Sequence, residues 1–422
     1  MNDPHARLAR RPQGGRVDSP GRPGGIDRDR RTFLAAAAAL PFARAIGPFA
    51  AFGSAQVAVA AATPSADYRK LLVLVELKGG NDGLNTLVPY ADSAYYALRP
   101  KIAIARDQVV QLTDSAGLHP SLAPLRNYWI DRQLAVLQGV GYPEPNLSHF
   151  RSIEIWDTAS TSEQYLQEGW LTRAFATRPV PASFAADGVI VGSSELGPLA
   201  GGGTRAIALA DTEQFLRRAK LAQPGAAPRN KALAHILKVE GDVVQAAAHL
   251  SGRTAFATAF PAGAFGNAIR TASQIIANPS GVAAVRVTLS GFDTHANQPA
   301  TQARLLGEVA NGLVALNSAL VELGKWDDTL ILTYAEFGRR PRENQNNGTD
   351  HGTASVHFAM GGRVAGGLYG AAPDLARLSP DGNPQYALDF RNVYATVLDR
   401  WWGVDSRDAL GGRFKPVPFL AA

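Results

Sequence analysis

The sequence contains no cysteine. That excludes disulfides, a thiol nucleophile and cysteine-ligated zinc, and it suits an exported protein that folds without oxidation. Charged residues are sparse at 18%, whereas apolar residues reach 46%. Global disorder is therefore excluded and a large core is expected. Neither the phosphate-loop nor the dinucleotide-loop glycine spacing occurs. No Gly-x-Ser-x-Gly elbow surrounds Ser148, so the hydrolase fold built on that motif gains no support. The net charge is +6, but nine arginines and four aspartates in residues 1–62 account for +5 of it. The remainder, about +1 by subtraction, gives no ground for nucleic-acid binding.

Residues 1–28 are rich in Arg, Gly and Pro, a composition that predicts disorder. Asp29-Arg30-Arg31-Thr32-Phe33-Leu34 then runs into AAAAALPFA. A twin arginine ahead of Phe-Leu and an alanine-rich run resembles a twin-arginine export signal; the alternative is an ordinary buried helix. The run is too short and too weakly apolar to span a bilayer stably. The expected organisation is a leader over residues 1–62, handled by the twin-arginine translocation machinery, and one domain over residues 63–422. The mature chain is then periplasmic or extracellular with no stable membrane span. That route carries folded proteins, so it suits one that acquires a metal in the cytoplasm.

Four apolar runs predict strands: Leu71–Leu77, Leu134–Val140, Val282–Leu289 and Thr329–Tyr334. Continuous apolar runs of this length fit a mostly parallel sheet covered on both faces. Leu305, Leu306, Val309, Leu313, Leu316, Leu320 and Leu323 recur at helical spacing, predicting one amphipathic helix over Thr301–Leu323. It joins two strands into a βαβ unit. Shorter helices are expected over Leu122–Asp131, 211–220 and 229–250, with a terminal one over Tyr386–Trp402. Phe358–Met360 reads as a further short strand. His119, His235 and His249 read as packing or surface residues. The fold class is α/β, a central mostly parallel sheet with helices on both faces.

Ligands of such sheets bind past the carboxyl ends of the strands. Lys78-Gly79-Gly80-Asn81-Asp82-Gly83-Leu84-Asn85 follows the first run, and its glycines permit close approach of the backbone. Asp82 there is either a site residue or the cap of a glycine turn. After the 282–289 run, Asp293 and His295 stand two apart, so in an extended turn they point to one side and suit a metal ion; a coincidental turn is the other reading. Glu336 ends the 329–334 run. Asp350-His351-Gly352 follows a polar segment, reading either as a metal or acid/base site or as a solvated loop with a helix cap at Asp350. Ser148 precedes His149 at the start of a helical segment, where a serine is an N-cap or a nucleophile.

Taken in order, the export signal, LKGGNDGLNTLVP, NLSHFRSIEIW, GFDTHANQ and EFGR with GTDHGT resemble the bacterial DUF1501 family over roughly residues 28–422. That family is in turn similar to the alkaline phosphatase and sulfatase superfamily. The resemblance implies divalent metal ions (Zn, Mn, Mg or Ca) at the carboxyl ends of an alkaline phosphatase-like sheet. It implies Asp82, Asp293, His295, Glu336, Asp350 and His351 as ligands and Ser148 as the nucleophile. Two departures stand out. Asp293 and His295 are closer together than the superfamily's pair, and Asp350-His351-Gly352 comes well after a strand. The expected activity is hydrolysis of a small anionic phosphate or sulfate ester, with Arg339, Arg340 or Arg342 gripping the anion. The alternatives are a non-catalytic exported protein acting in cell-surface binding or assembly, and an acid/base enzyme using Asp293 and His295 without metal.

Overall fold

The computed structural model describes residues 66–209 and 254–421. The leader and export signal expected over residues 1–62, the helices expected at 211–220 and 229–250, and His235 and His249 all lie outside the described residues.

The first apolar run is β1 (Leu71–Lys78), followed by the single turn α1 (Gly83–Thr86). A small three-stranded sheet, β2 (Leu87–Val88), β3 (Val110–Gln111) and β4 (Gly117–Leu118), flanks α2 (Ser93–Leu98). Then come α3 (Arg126–Ile130), β5 (Leu134–Gly141), α4 (His149–Thr158), α5 (Trp170–Thr177), β6 (Ala186–Val191) and β7 (Ala206–Leu209). The second half holds α6 (Ala264–Ile276), β8 (Val282–Ser290), α7 (Gln298–Glu322), β9 (Thr329–Tyr334), the hairpin β10 (Gly338–Glu343) and β11 (Thr349–Gly352), and β12 (Ser355–Met360). It closes with β13 (Gly367–Tyr369), β14 (Leu388–Asp389), α8 (Phe390–Ala395), a π-helical turn over Thr396–Trp402, and α9 (Ser406–Leu410).

The main sheet runs β13-β5-β12-β9-β1-β8-β6-β7, and β14 extends the outer edge of β5 beyond β13. Its pairings are parallel except those made by β12. β1 lies between β8 and β9, so the β8–α7–β9 crossover passes over it. Strand periodicity divides the core into two layers. Leu71, Val73, Val75 and Leu77 face the layer that contains α6 and α7. Leu72 and Leu74 face the other layer, where Trp156 stacks on Phe390 and Trp170 on Tyr394. Each fully buried Leu or Val contributes roughly 1.5–3 kcal/mol, which explains why these runs carry almost no polar residue.

Three elements differ from the sequence expectation. The segment 122–131 is a 3₁₀ turn over Pro120–Leu125 followed by α3, and Pro124 inside that turn prevents one continuous helix. The terminal helix starts only at Phe390, because Leu388–Asp389 pairs with β5 and Asp389 caps the helix through Arg391 N–H. The polar segment after Glu336 forms the β10–β11 hairpin. His119 is structural, its Nδ1 accepting from Ser121 N–H at 3.0 Å.

His357, six residues past His351, points into the core from β12. It is 2% exposed, packs against Trp156 and has no partner on either ring nitrogen. Burial pushes its pKa down to about 3. The unfolded chain would take up a proton near pH 6.5, while the folded one would not. Stability should therefore be lost as pH falls from about 6.5, at up to about 1.4 kcal/mol per unit. His357→Leu should remove that component. Denaturant unfolding at pH 8 and pH 4.5 should show the parent losing about 2–3 kcal/mol more than the variant on acidification; parallel losses would reject the assignment.

Candidate metal centre

The carboxyl ends of β1, β8 and β9 lie side by side because both outer strands pair in parallel with β1. The loops they feed pack closely. Gly79 has a φ of 119°, and a Cβ there would stand 2.3 Å from Asp293 N, so only glycine lets the first loop touch the loop after β8. Gly80, with a φ of 79°, lies against the Phe337 ring. Into this floor come Asp293 and His295 from the loop after β8, His351 from β11, and His149 from the first position of α4.

The ligand atoms of His149, Asp293 and His351 all lie within 4.8 Å of one another. Asp293 Oδ1 is 3.2 Å from His351 Nε2 and 3.1 Å from His295 Nε2. Asp293 Oδ2 is 3.4 Å from His149 Nε2. The two Nε2 atoms of His295 and His351 are 3.0 Å apart. Ligands about 2.1 Å from a tetrahedral zinc stand about 3.4 Å from each other, so these spacings are close to the edges of such a shell.

His149 and His351 are each turned by a hydrogen-bonded oxygen behind the ring. His149 Nδ1 lies 2.9 Å from Glu336 Oε1, which also accepts from Gly79 N–H. His351 Nδ1 lies 2.8 Å from the Leu147 carbonyl. His295 Nδ1 faces Asp350 Oδ1 at 3.5 Å. A carbonyl only accepts, so His351 Nδ1 must carry the proton, and in the neutral ring Nε2 is then a lone pair. Burial lowers the pKa of His351, disfavouring a second proton. Burial acts to raise that of Asp293, yet the Arg339 hydrogen bond and charge hold it below its ordinary value. A lone pair and a carboxylate thus face each other at 3.2 Å, an arrangement that calls for a cation between them. Nitrogen and oxygen donors with oxygen acceptors behind the histidines are what a zinc-type ion takes. The hydrogen bond to Glu336 raises the pKa of His149 against an opposing effect of burial, and the nearby Asp293 adds to it.

Of the residues singled out in the sequence, Asp293, His295 and His351 are brought together. Glu336 stands behind His149 and is hydrogen-bonded to it, whereas Asp350 lies 3.5 Å from His295 Nδ1 without a hydrogen bond. Glu336 Oε2 is buried with no partner. Asp82 is not brought into the cluster. It is 2% exposed, its oxygens take Arg99 Nη1 at 2.5 Å and Nη2 at 2.9 Å, and it also accepts from Gln298 and from Leu84 N–H. Arg339 is not available to an anion either. Its side chain is wholly buried, and its guanidinium binds the carbonyls of Gly79, Gly80, Phe292 and Thr349 as well as Asp293 Oδ1 at 2.7 Å. Arg340 is half-buried and Arg342 exposed. Ser148 is the exposed N-cap of α4, with a hydroxyl that makes no capping bond. The residue overlooked in the sequence is its neighbour His149. Its signal was a histidine opening a helix just past a strand's carboxyl end.

The first-turn N–H groups of α4 receive no side-chain cap, and a helix N-terminus carries partial positive charge suited to an anion. Phe337 walls the cluster, its ring centroid 4.8 Å from His149 and 4.5 Å from His351. No described helix is long and apolar enough to cross a membrane.

Asp82→Asn should leave Arg99 buried without its counter-charge and cost about 3–5 kcal/mol in denaturant unfolding, while bound metal per folded molecule stays at the parent's level. Loss of metal from a variant of parental stability would make Asp82 a ligand.

Solved structures similar to the chain include a zinc complex of the C-terminal periplasmic domain of EptC from Escherichia coli, at 12% identity and TM-score 0.30, covering 69% of this chain and 72% of that one. An alkaline phosphatase from the Antarctic bacterium TAB5 is 12% identical with TM-score 0.32, covering 72% and 95%. Ps i-CgsB is 11% identical with TM-score 0.36, covering 81% and 74%. All lie below the level at which a structural likeness speaks to chemistry. No curated protein matches the sequence. The family described as "Protein of unknown function (DUF1501)" matches residues 69–411, and the chain belongs to the DUF1501 family.

Proposed function

We propose that the protein is a metal-dependent hydrolase of phosphate or related sulfate esters, acting after export. The observation that carries this reading is the lone pair of His351 facing the Asp293 carboxylate at 3.2 Å, with His149 and His295 beside them. Those four residues would hold a divalent ion. Three imidazoles against one carboxylate favour zinc over magnesium or calcium. When bound, such an ion polarises an ester oxygen and lowers the pKa of a coordinated hydroxyl.

The chain's own groups divide the remaining work. The uncapped start of α4, with Arg340 or Arg342, binds the anionic part of the ester. Ser148, next to His149 and free of a capping bond, is the candidate nucleophile. Glu336 fixes the ring of His149 and keeps the Nδ1 proton, so that Nε2 faces Asp293. Asp350 Oδ1 lies 3.5 Å from His295 Nδ1, where its charge favours that ring orientation without a hydrogen bond. Phe337 excludes water from one side of the cluster, which strengthens its electrostatics. Residues 1–62 are proposed to be a leader recognised by the twin-arginine translocation machinery, placing the mature domain in the periplasm or outside the cell.

Protein purified without added metal should contain near-stoichiometric divalent ion by elemental analysis. His149→Ala, Asp293→Asn and His351→Ala should each retain less than about a tenth of it, given the large share that one ligand supplies. Ser148→Ala should keep the metal and lose about a hundredfold or more in ester turnover. A parent that binds no metal even on reconstitution would remove the hydrolase reading in favour of a binding or assembly role.

A further inference from the structure

Beside the cluster lies a cleft of about 750 Å³ between the 142–147 segment and the 379–386 loop. It shares two residues with the surroundings of the centre. The Leu147 carbonyl holds His351 Nδ1, and Thr353, two residues past His351, is bonded to the Pro384 carbonyl at 2.6 Å; both line the cleft. An ester whose anionic group lay against the cluster would extend its remaining part into this space.

The chemistry of the lining is one-sided. Glu144 and Asp381 supply carboxylates, and no Lys, Arg or His is among the described residues that line it. Asn383 also lines it and is 5% exposed, and its Oδ1 has no hydrogen-bond partner. Its backbone N–H and carbonyl are both committed to Ser379, and its side-chain oxygen is sealed behind the lining, so the acceptors open to the cleft are the exposed carboxylates of Glu144 and Asp381. Tyr386, 40% exposed, offers an aromatic face at the rim. The cleft therefore presents acceptors and negative charge and asks for donors.

We infer that this cleft is the leaving-group subsite and that it takes a sugar-like group, rich in hydroxyl or amine donors and free of negative charge. The inference rests on the ester-hydrolase reading for the placement of the anionic group. A leaving group carrying its own carboxylate or phosphate meets Glu144 and Asp381 and is repelled. A neutral polyol or an aminosugar meets acceptors that its donors satisfy.

The test uses the full-length, metal-loaded protein and three esters with a phosphate on the same carbon of a six-carbon chain: glucose 6-phosphate, glucosamine 6-phosphate and 6-phosphogluconate. The expected kcat/KM for the first two exceeds that for the third by about tenfold or more. Asp381 is exposed, so Asp381→Lys should fold normally and shrink the difference to about twofold or less. Equal rates with glucose and glucosamine esters would assign recognition to the hydroxyls; an excess for glucosamine would assign it to charge. Hydrolysis of all three at similar rates, or a preference untouched by Asp381→Lys, would overturn the subsite while leaving the hydrolase intact. If none is hydrolysed, these esters do not test the subsite through turnover, and saturation-transfer NMR with free glucosamine and gluconate decides the cleft by itself. Transfer to glucosamine alone, lost in Asp381→Lys, would sustain a donor-binding cleft; no transfer to glucosamine would overturn it.

Discussion

One buried guanidinium holds the carboxyl end of the sheet together. Arg339 reaches the carbonyls of Gly79 and Gly80 after β1, Phe292 after β8 and Thr349 on β11. These loops leave their regular pairing where the strands stop, so their carbonyls would otherwise be buried without donors, at a cost comparable to a lost hydrogen bond each. A buried cation in turn needs a counter-charge. Asp293 provides it at 2.7 Å. One contact thus satisfies the arginine, pins the Asp293 side chain and keeps that carboxylate ionised. An arginine in this role positions the centre without touching a substrate.

With Asp293 fixed, the histidines are arranged around it by groups that only accept hydrogen bonds. The Leu147 carbonyl and Glu336 leave Nε2 of His351 and His149 directed toward the carboxylate. Helix α4 links this arrangement to the core. Its first residue is His149. Its Ser152 hydroxyl donates to the Glu336 carbonyl and contacts Tyr142, and its Trp156 stacks on Phe390 at 4.4 Å. The helix start cannot shift without disturbing an aromatic layer that is close-packed. The uncapped N–H groups of α4 therefore stand at a fixed place beside the cluster.

The sheet and its site end were legible in the sequence because burial on both faces leaves a local mark. Leu71–Leu77, Val282–Leu289 and Thr329–Tyr334 each appear as strands within a residue of the apolar run. Asp293, His295 and His351 were legible as candidates because acidic and imidazole groups directly follow the strand ends or their hairpin. What was hidden was partnership. Asp82 has the composition and position of a ligand, and only the fold shows Arg99, 17 residues on, filling its oxygens. Arg339 looked like an anion grip because a sequence does not show four carbonyls converging on it. His149 was passed over for Ser148 because its claim depends on Glu336, 187 residues away.

The long gap between β9 and Asp350-His351-Gly352 looked like a departure from the expected pattern, and the hairpin gives its reason. Arg339 and His351 are paired across β10 and β11, so one hairpin carries both the cation that fixes Asp293 and the histidine that faces it. Gly352 allows the two strands to close, since a Cβ there would meet the Arg339 backbone at 2.3 Å. The candidate ligands thus come from three kinds of element: a strand-end loop, a helix start and a hairpin. None is close to another in sequence except Asp293 and His295. An unfolded chain cannot present such a set, so free energy released on binding an ion there would stabilise the hairpin and the start of α4 against local opening. Affinity for such an ion and the order of the hairpin would then be one coupled quantity, with Arg339 as the link between them.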